Sequence, residues 1–114
     1  MQGSLLSFYV HEGDRHDSRL LWEWLLEQAN NRGVRGGSVY RAMAGFGRQH
    51  VLHERKFFEL AGSQTLKVEF IVTTDEAQQL LALVHQEKLR LFYAYIPLHF
   101  GVIDPLATQP PVLK

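Results

Sequence analysis

The residues best suited to chemistry in this chain are Gly45-Phe46-Gly47-Arg48-Gln49, near its middle. Arginine offers a planar fork of donors that fits phosphate or carboxylate, and the neighbouring amide adds a donor and an acceptor. Glycines on either side of an aromatic permit backbone angles that other residues avoid, so the chain can turn sharply beside a ligand. The chemistry this run supports is anion binding at a strand end. A glycine-containing turn followed by solvated polar side chains would use the same residues. Around it lie Arg32, Arg35, Arg41, Arg48, Arg55 and Lys56, with Glu54 the only acid between Asn30 and Lys56. These six are half of the twelve Lys and Arg in a chain of zero net charge. A local basic field on a neutral protein suits a small anion better than a long polyanion. A solvated basic face without a partner is the other reading.

Three further chemistries can be weighed. His50 and His53 would share one face of a helix, but their segment reads as loop or strand, where i and i+3 diverge. A metal there would need a third ligand, such as His11, His16 or Glu54, brought in by the fold. Metal binding through the loop histidines is the alternative reading, and no ligand set is assigned. Glu12 and Asp14 form an acid pair around Gly13 and could equally form a turn or face the basic stretch. The chain has no Gly-x-Ser-x-Gly, no Walker loop, no His-Glu-x-x-His and no cysteine, so no catalytic residue and no cofactor are expected, and the protein reads as not an enzyme. Phe46, Phe57 and Phe58 could stack on bases. Neither Val39-Tyr40-Arg41-Ala42 nor Thr65-Leu66-Lys67-Val68, however, supplies the signature of sheet-type RNA binders, so nucleic acid is not an expected partner.

These residues need a scaffold, and 114 residues with 46% apolar content are enough for one folded domain. No run approaches the roughly 20 apolar residues of a spanning helix, and the first residues lack a signal-type pattern, so the default location is cytoplasmic. Leu5 to Val10 alternates as a strand with Leu6, Phe8 and Val10 on one face, and His11-Glu12-Gly13-Asp14 breaks it. Asp17 or Ser18 is expected to cap a helix that buries Trp22, Leu25, Leu26 and Ala29, widened by Leu21 and Trp24 and closed by Gly33. Ser38 to Ala44 reads as a second strand, and Val51 to Leu60 as a hairpin arm or ordered loop. Ala61 to Gln64 reads as a turn. Thr65 to Val72 alternates strictly, with Leu66, Val68, Phe70 and Val72 inward. Thr73 and Glu76 have capping-box spacing ahead of a helix burying Ala77, Leu80, Leu81 and Val84. Leu89 to Ile96 is a last strand that Pro97 ends or marks as an edge.

The order strand, helix, strand, strand, helix, strand specifies an α+β ferredoxin-like plait, a four-stranded antiparallel sheet with two helices on one face. The other sheet face would carry Leu5, Tyr9, Tyr40, Ile71 and several aromatics of the last strand. That is too apolar for a solvated surface, so self-association through the sheet is expected. The domain spans residues 1–103, and 104–114 form a proline-containing tail, disordered or loosely held.

A plait with Gly45-Phe46-Gly47-Arg48-Gln49 at the exit of its second strand, followed by Val68-Glu69-Phe70-Ile71-Val72 and Thr73-Thr74-Asp75, resembles the PII signal-transduction proteins. The chain is more similar still to the PII-like family known as domain of unknown function 190. That resemblance rests on His11-Glu12-Gly13-Asp14, Arg41-Ala42, Gly45-Phe46-Gly47 and His53, and it spans roughly Gly3 to Val102. It implies a homotrimer with its sheets facing inward and a small anionic effector, a nucleotide in PII proteins, in the clefts between subunits. By position it assigns effector contacts to Gly47, Arg48 and Gln49; Gly45 and Arg41 complete the candidate set. The loop 48–58 would change order with the effector and face a partner protein, such as a membrane transporter or channel. The sequence departs from PII proteins at His85-Gln86-Glu87-Lys88-Leu89-Arg90, where their glycine-rich phosphate loop would stand. A backbone anion nest does not form easily there, although Lys88 and Arg90 could supply charge.

Overall fold

The computed structural model describes residues 1–46, 52–54 and 64–113. Strand β1 (Gln2–His11) is central, and Leu6, Phe8 and Val10 are buried on its helix-facing side. Beside it runs β7 (Thr65–Val72), whose Leu66, Val68, Phe70 and Val72 are buried as the alternation predicts. The outer strands are β4 (Gly36–Arg41) on β7 and β8 (Phe92–His99) on β1, giving the order β4-β7-β1-β8 with antiparallel pairing throughout. Helices α1 (Leu21–Asn31) and α2 (Thr74–Gln86) supply the rest of the core through Leu21, Trp24, Leu25 and Ala29, and through Ala77, Leu80 and Val84. Phe8 and Phe70 meet edge to face with centroids 6.4 Å apart, a geometry worth about 1 kcal/mol beyond their burial. This is the predicted plait.

The start of α1 differs from the expectation. Asp17 and Ser18 do not cap it; with φ of 51° and 64° they are the two central residues of a tight hairpin between β2 (Arg15–His16) and β3 (Arg19–Leu20). Two consecutive left-handed residues match the twist of a two-residue hairpin, and aspartate tolerates that conformation better than most. The helix N-cap is Leu20, without a side-chain cap, and the Leu21 N–H donates instead to the Asp14 carbonyl at 2.7 Å. The buried stripe turns accordingly: Leu21 and Trp24 are buried, while Trp22 and Leu26 only flank the core.

Both helices end in the same way. After α1, Gly33 at φ 76° donates to the Asn30 carbonyl and Val34 to that of Ala29, the paired bonds of a Schellman cap. After α2, Lys88 donates to the His85 carbonyl and Leu89 to that of Val84, so Lys88 takes the left-handed position at φ 59°. The start of α2 is the predicted capping box, Thr73 accepting from Glu76 N–H while Glu76 accepts from Thr73 N–H.

Two strand boundaries also differ. The second strand stops at Arg41, and residues 44–46 (β5) pair instead with Leu52–Glu54 (β6) in a separate ribbon. The last strand starts at Phe92 and runs through Pro97, which sits opposite Ser4. Proline survives there because β8 is an edge, where a missing N–H costs no ladder bond. Beyond β8, Phe100 and the Met1 backbone exchange hydrogen bonds, and residues 101–113 are exposed.

The left-handed Lys88 yields a direct test of the α2 closure. Lys88→Gly relieves backbone strain and is expected to raise unfolding free energy by about 0.5–1 kcal/mol, whereas Thr73→Ala removes a cap and lowers it by about 1 kcal/mol. Denaturant melts at fixed protein concentration check both. Loss of stability in Lys88→Gly would contradict this reading of the cap.

Candidate functional site

The end of the sheet where β1 and β4 finish and β7 begins gathers the polar groups. In register, Arg41 lies opposite Leu66, which lies opposite Val10, so the turn after β1 reaches the last residue of β4. Gln64, which is buried, ties the turn after β1 and the end of β4 to the start of β7. Its carbonyl accepts from Glu12 N–H at 2.7 Å and its side-chain amide donates to the Ala42 carbonyl at 3.4 Å. Ala42 N–H in turn donates to the Thr65 carbonyl at 2.9 Å. Asp14 braces the turn from within, its carboxylate accepting from His11 N–H at 3.0 Å. The β5–β6 ribbon leaves the sheet directly after this knot.

Arg41 is exposed and forms an ion pair with Glu12. Of the two readings of the Glu12/Asp14 pair, each residue takes one: Asp14 forms the turn and Glu12 faces the basic stretch. A carboxylate on the guanidinium fork shows that Arg41 can be approached by an oxyanion. Exchange of that partner is cheap, because solvent-exposed pairs are worth only about 0–1 kcal/mol.

Gly45 lies in β5 opposite His53, and a Cβ built on it would meet nothing within 4 Å among the described residues. Its φ is not in the left-handed region, so neither strain nor crowding by the described residues requires glycine there. Gly47, Arg48 and Gln49, with His50 and most of the 48–58 stretch, lie outside the described residues; so do residues 61–63 of the expected turn. For 52–54 the backbone pairing agrees with a hairpin arm.

Among the described residues of the basic run, Arg32, Arg35 and Arg41 do not form one cluster. Arg32 bends back onto its own helix, donating to the Gln28 carbonyl at 3.1 Å and to its side-chain oxygen at 2.9 Å. Arg35 lies 5.2 Å from the Phe100 ring centroid at the far end of β4, roughly 20 Å from Arg41 at the usual strand rise. Sequence proximity along an extended strand separates charges instead of gathering them. Near Arg35 is a cleft of about 350 Å³ lined by Leu26, Val34, Gly37 and Phe70 among others. It stands at the opposite end of β4 from Arg41 and has no link to the polar knot.

The stretch between α2 and β8 is no phosphate cradle either. The Lys88 and Leu89 N–H groups are committed to helix carbonyls, so these two backbone donors are not turned to an anion. Elsewhere, hydrogen bonding between Arg19 and Glu27 lowers the Glu27 carboxyl and raises the Arg19 guanidinium. Hydrogen bonds with Ser4 and Thr74 lower the Tyr95 phenol.

The sheet face away from the helices is the other candidate surface. Register places Leu5 and Tyr9 of β1, Ile71 of β7, Tyr40 of β4, and Phe92 and Ile96 of β8 on it. Tyr93 and Tyr95 instead lie on the helix side, opposite Phe8 and Leu6, so Phe92 is the aromatic that β8 contributes. Phe92 is 73% exposed and Ile96 55% exposed. Tyr9 and Phe92 meet edge to face at 5.6 Å, and Lys67 sits 5.2 Å from the Tyr40 ring while pairing with Glu69 at 3.3 Å. The charges on this face are internally matched, so a second such face meets little repulsion.

Comparison with known proteins agrees with this architecture. A UPF0166 protein of Aquifex aeolicus (strain VF5) is 31% identical over 77 residues, 68% of this chain and 73% of its own length. Among solved structures, the PII-like signaling protein TTHA0516 of Thermus thermophilus superposes with a TM-score of 0.58 at 17% identity, covering 86% of this chain and 87% of its own. CPII of Thiomonas intermedia K12, a nitrogen regulatory PII-like protein solved with ADP, AMP and bicarbonate, superposes with a TM-score of 0.59 at 14% identity, covering 89% and 97%. The model of the DUF190 family (Uncharacterized ACR, COG1993) matches residues 3–90. With that match spanning most of a PII-like plait, the chain belongs to the DUF190 family.

Proposed function

We propose that the protein is a trimeric PII-like regulator that binds a small anionic effector, a nucleotide, in clefts between subunits. The observation that carries this reading is the outward sheet face, apolar and internally neutral, on a PII-like plait. Burial of such a face stabilises association by roughly 25 cal/mol per Å² of apolar surface removed from water, less the entropy of assembly. CPII, which shares the fold and was solved with ADP, AMP and bicarbonate, supports a nucleotide as the effector. Arg41, Gly45, Gly47, Arg48 and Gln49 would hold it. Arg41 would leave Glu12 for the anion, and loop 48–58 would change order and engage a partner, for which a membrane transporter or channel is one class.

The role is binding and not catalysis, and the site of action is the cytoplasm. No helix of the described residues is long and apolar enough to cross a membrane. Residues 1–103 would form the regulatory module and 104–114 its tail.

Light scattering should give about three times the 13.1 kDa chain mass at micromolar concentration. Ile96→Glu, which puts a charge on the outward face, should lower it. A monomeric wild type would remove the basis for the cleft.

Calorimetric titration with ADP and AMP, with and without bicarbonate, tests the effector. Arg41→Ala should weaken binding about tenfold or more, the usual cost of losing a hydrogen bond to a charged group, while Glu12→Gln should tighten it a few-fold by freeing Arg41. Gly45→Ala should melt within about 0.5 kcal/mol of wild type yet bind less well, because its added methyl meets only incoming atoms. If wild type binds none of these ligands, the nucleotide reading fails.

A further inference from the structure

His16, at the end of β2, carries a group of donors that the effector site does not use. Its Nε2 lies 2.8 Å from Oε1 of Glu87, the C-cap of α2, and 3.6 Å from Oδ2 of Asp17 in the hairpin turn. All three donor atoms lie within 4.8 Å of one another. The imidazole is held by its edge-on contact with Trp24, centroids 4.6 Å apart, and its side chain is only 14% exposed. Asp17 is held by its left-handed backbone at the turn. Two adjacent residues of the β2–β3 hairpin and the C-cap residue of α2, 71 residues from His16, thus bring three donors together at one point.

An ion pair alone does not use this arrangement well. Nε2 bears at most one hydrogen, and the short contact to Glu87 takes it. Asp17 is left on the same nitrogen without a proton to share, and two carboxylates converge at a cost in repulsion. A divalent cation in place of that single proton would satisfy all three donors. Donors about 2.1 Å from a metal lie about 3–3.4 Å from one another around it, a range bracketed by the 2.8 and 3.6 Å from His16 Nε2 to the two carboxylates, whose oxygens lie within 4.8 Å of each other. One imidazole with two carboxylates suits a borderline first-row ion, and the exposed Asp17 side leaves positions for water.

We propose that His16, Asp17 and Glu87 form a binding site for a divalent first-row transition-metal ion, with Zn²⁺ as its probe. The ion would fasten the β2–β3 hairpin to the C-terminus of α2, a link of 71 residues in sequence. The site uses neither His50 nor His53 as a ligand and does not depend on the effector reading.

The test is thermal unfolding of chelator-treated protein, at fixed protein concentration, titrated with Zn²⁺, Mn²⁺ and Mg²⁺. Zn²⁺ at about 100 times its dissociation constant should raise the midpoint by roughly 10 °C, with Mg²⁺ ineffective. Calorimetry should count one such site per chain. The affinity should fall as pH drops, because metal ligands bind in their deprotonated forms and protons compete with the ion.

Glu87→Gln and Asp17→Asn should each weaken binding about tenfold or more. Asn is favoured at a left-handed turn position, so Asp17→Asn keeps the fold and isolates the lost ligand. His50→Ala/His53→Ala should leave the shift intact. No Zn²⁺ shift in wild type, or a shift lost in the double-histidine variant but kept in Asp17→Asn and Glu87→Gln, would overturn the proposal.

Discussion

Pairing of β1 with both β7 and β8 is the constraint on which the rest depends. It places Leu6, Phe8 and Val10 beside Phe70, Val68 and Leu66 in one layer, and a slip of one residue would turn that whole layer to the opposite face. The same register fixes what happens at the rim. It brings the turn after β1 to the end of β4, and so Glu12 to Arg41. It also carries Phe92 and Ile96 to the outward face and leaves Tyr93 and Tyr95 on the helix side. Core packing and surface chemistry are two consequences of one alignment.

Most of the architecture was legible in the sequence because its signals were local and consistent. Thr65 to Val72 could alternate only one way, and Thr73 with Glu76 announced a helix start that the structure contains in full. What misled was chemistry with two local uses. Asp17 and Ser18 are good cap residues and also good hairpin residues, and the hairpin won because Asp14 already offers its carbonyl to the first turn of α1. Apolar alternation for β8 was masked by aromatics at successive positions, which fit either face.

The candidate site was only half legible. That Glu12 or Asp14 could face the basic stretch was legible, but which arginine it meets was not, because Arg41 lies 29 residues away, a distance over which spacing does not choose among them. Arg35 and Arg41, close in the basic run, stand apart in the fold because a strand spreads its residues by about 3.3 Å each. The contact between His16 and Glu87 was beyond reach, since the two lie 71 residues apart. Only tertiary contact between the hairpin and the end of α2 brings those residues together.

Pro97 has a consequence for how copies of this protein meet. A sheet can grow by adding a strand at its edge, and β8 offers eight residues for that. The backbone nitrogen of Pro97 has no hydrogen, so a ribbon joining at this edge would leave one of its own carbonyls unanswered. Open-ended, edge-to-edge extension of the kind that leads to fibrils is thereby discouraged. Stacking by faces is untouched, because it draws on side chains and asks nothing of the β8 backbone.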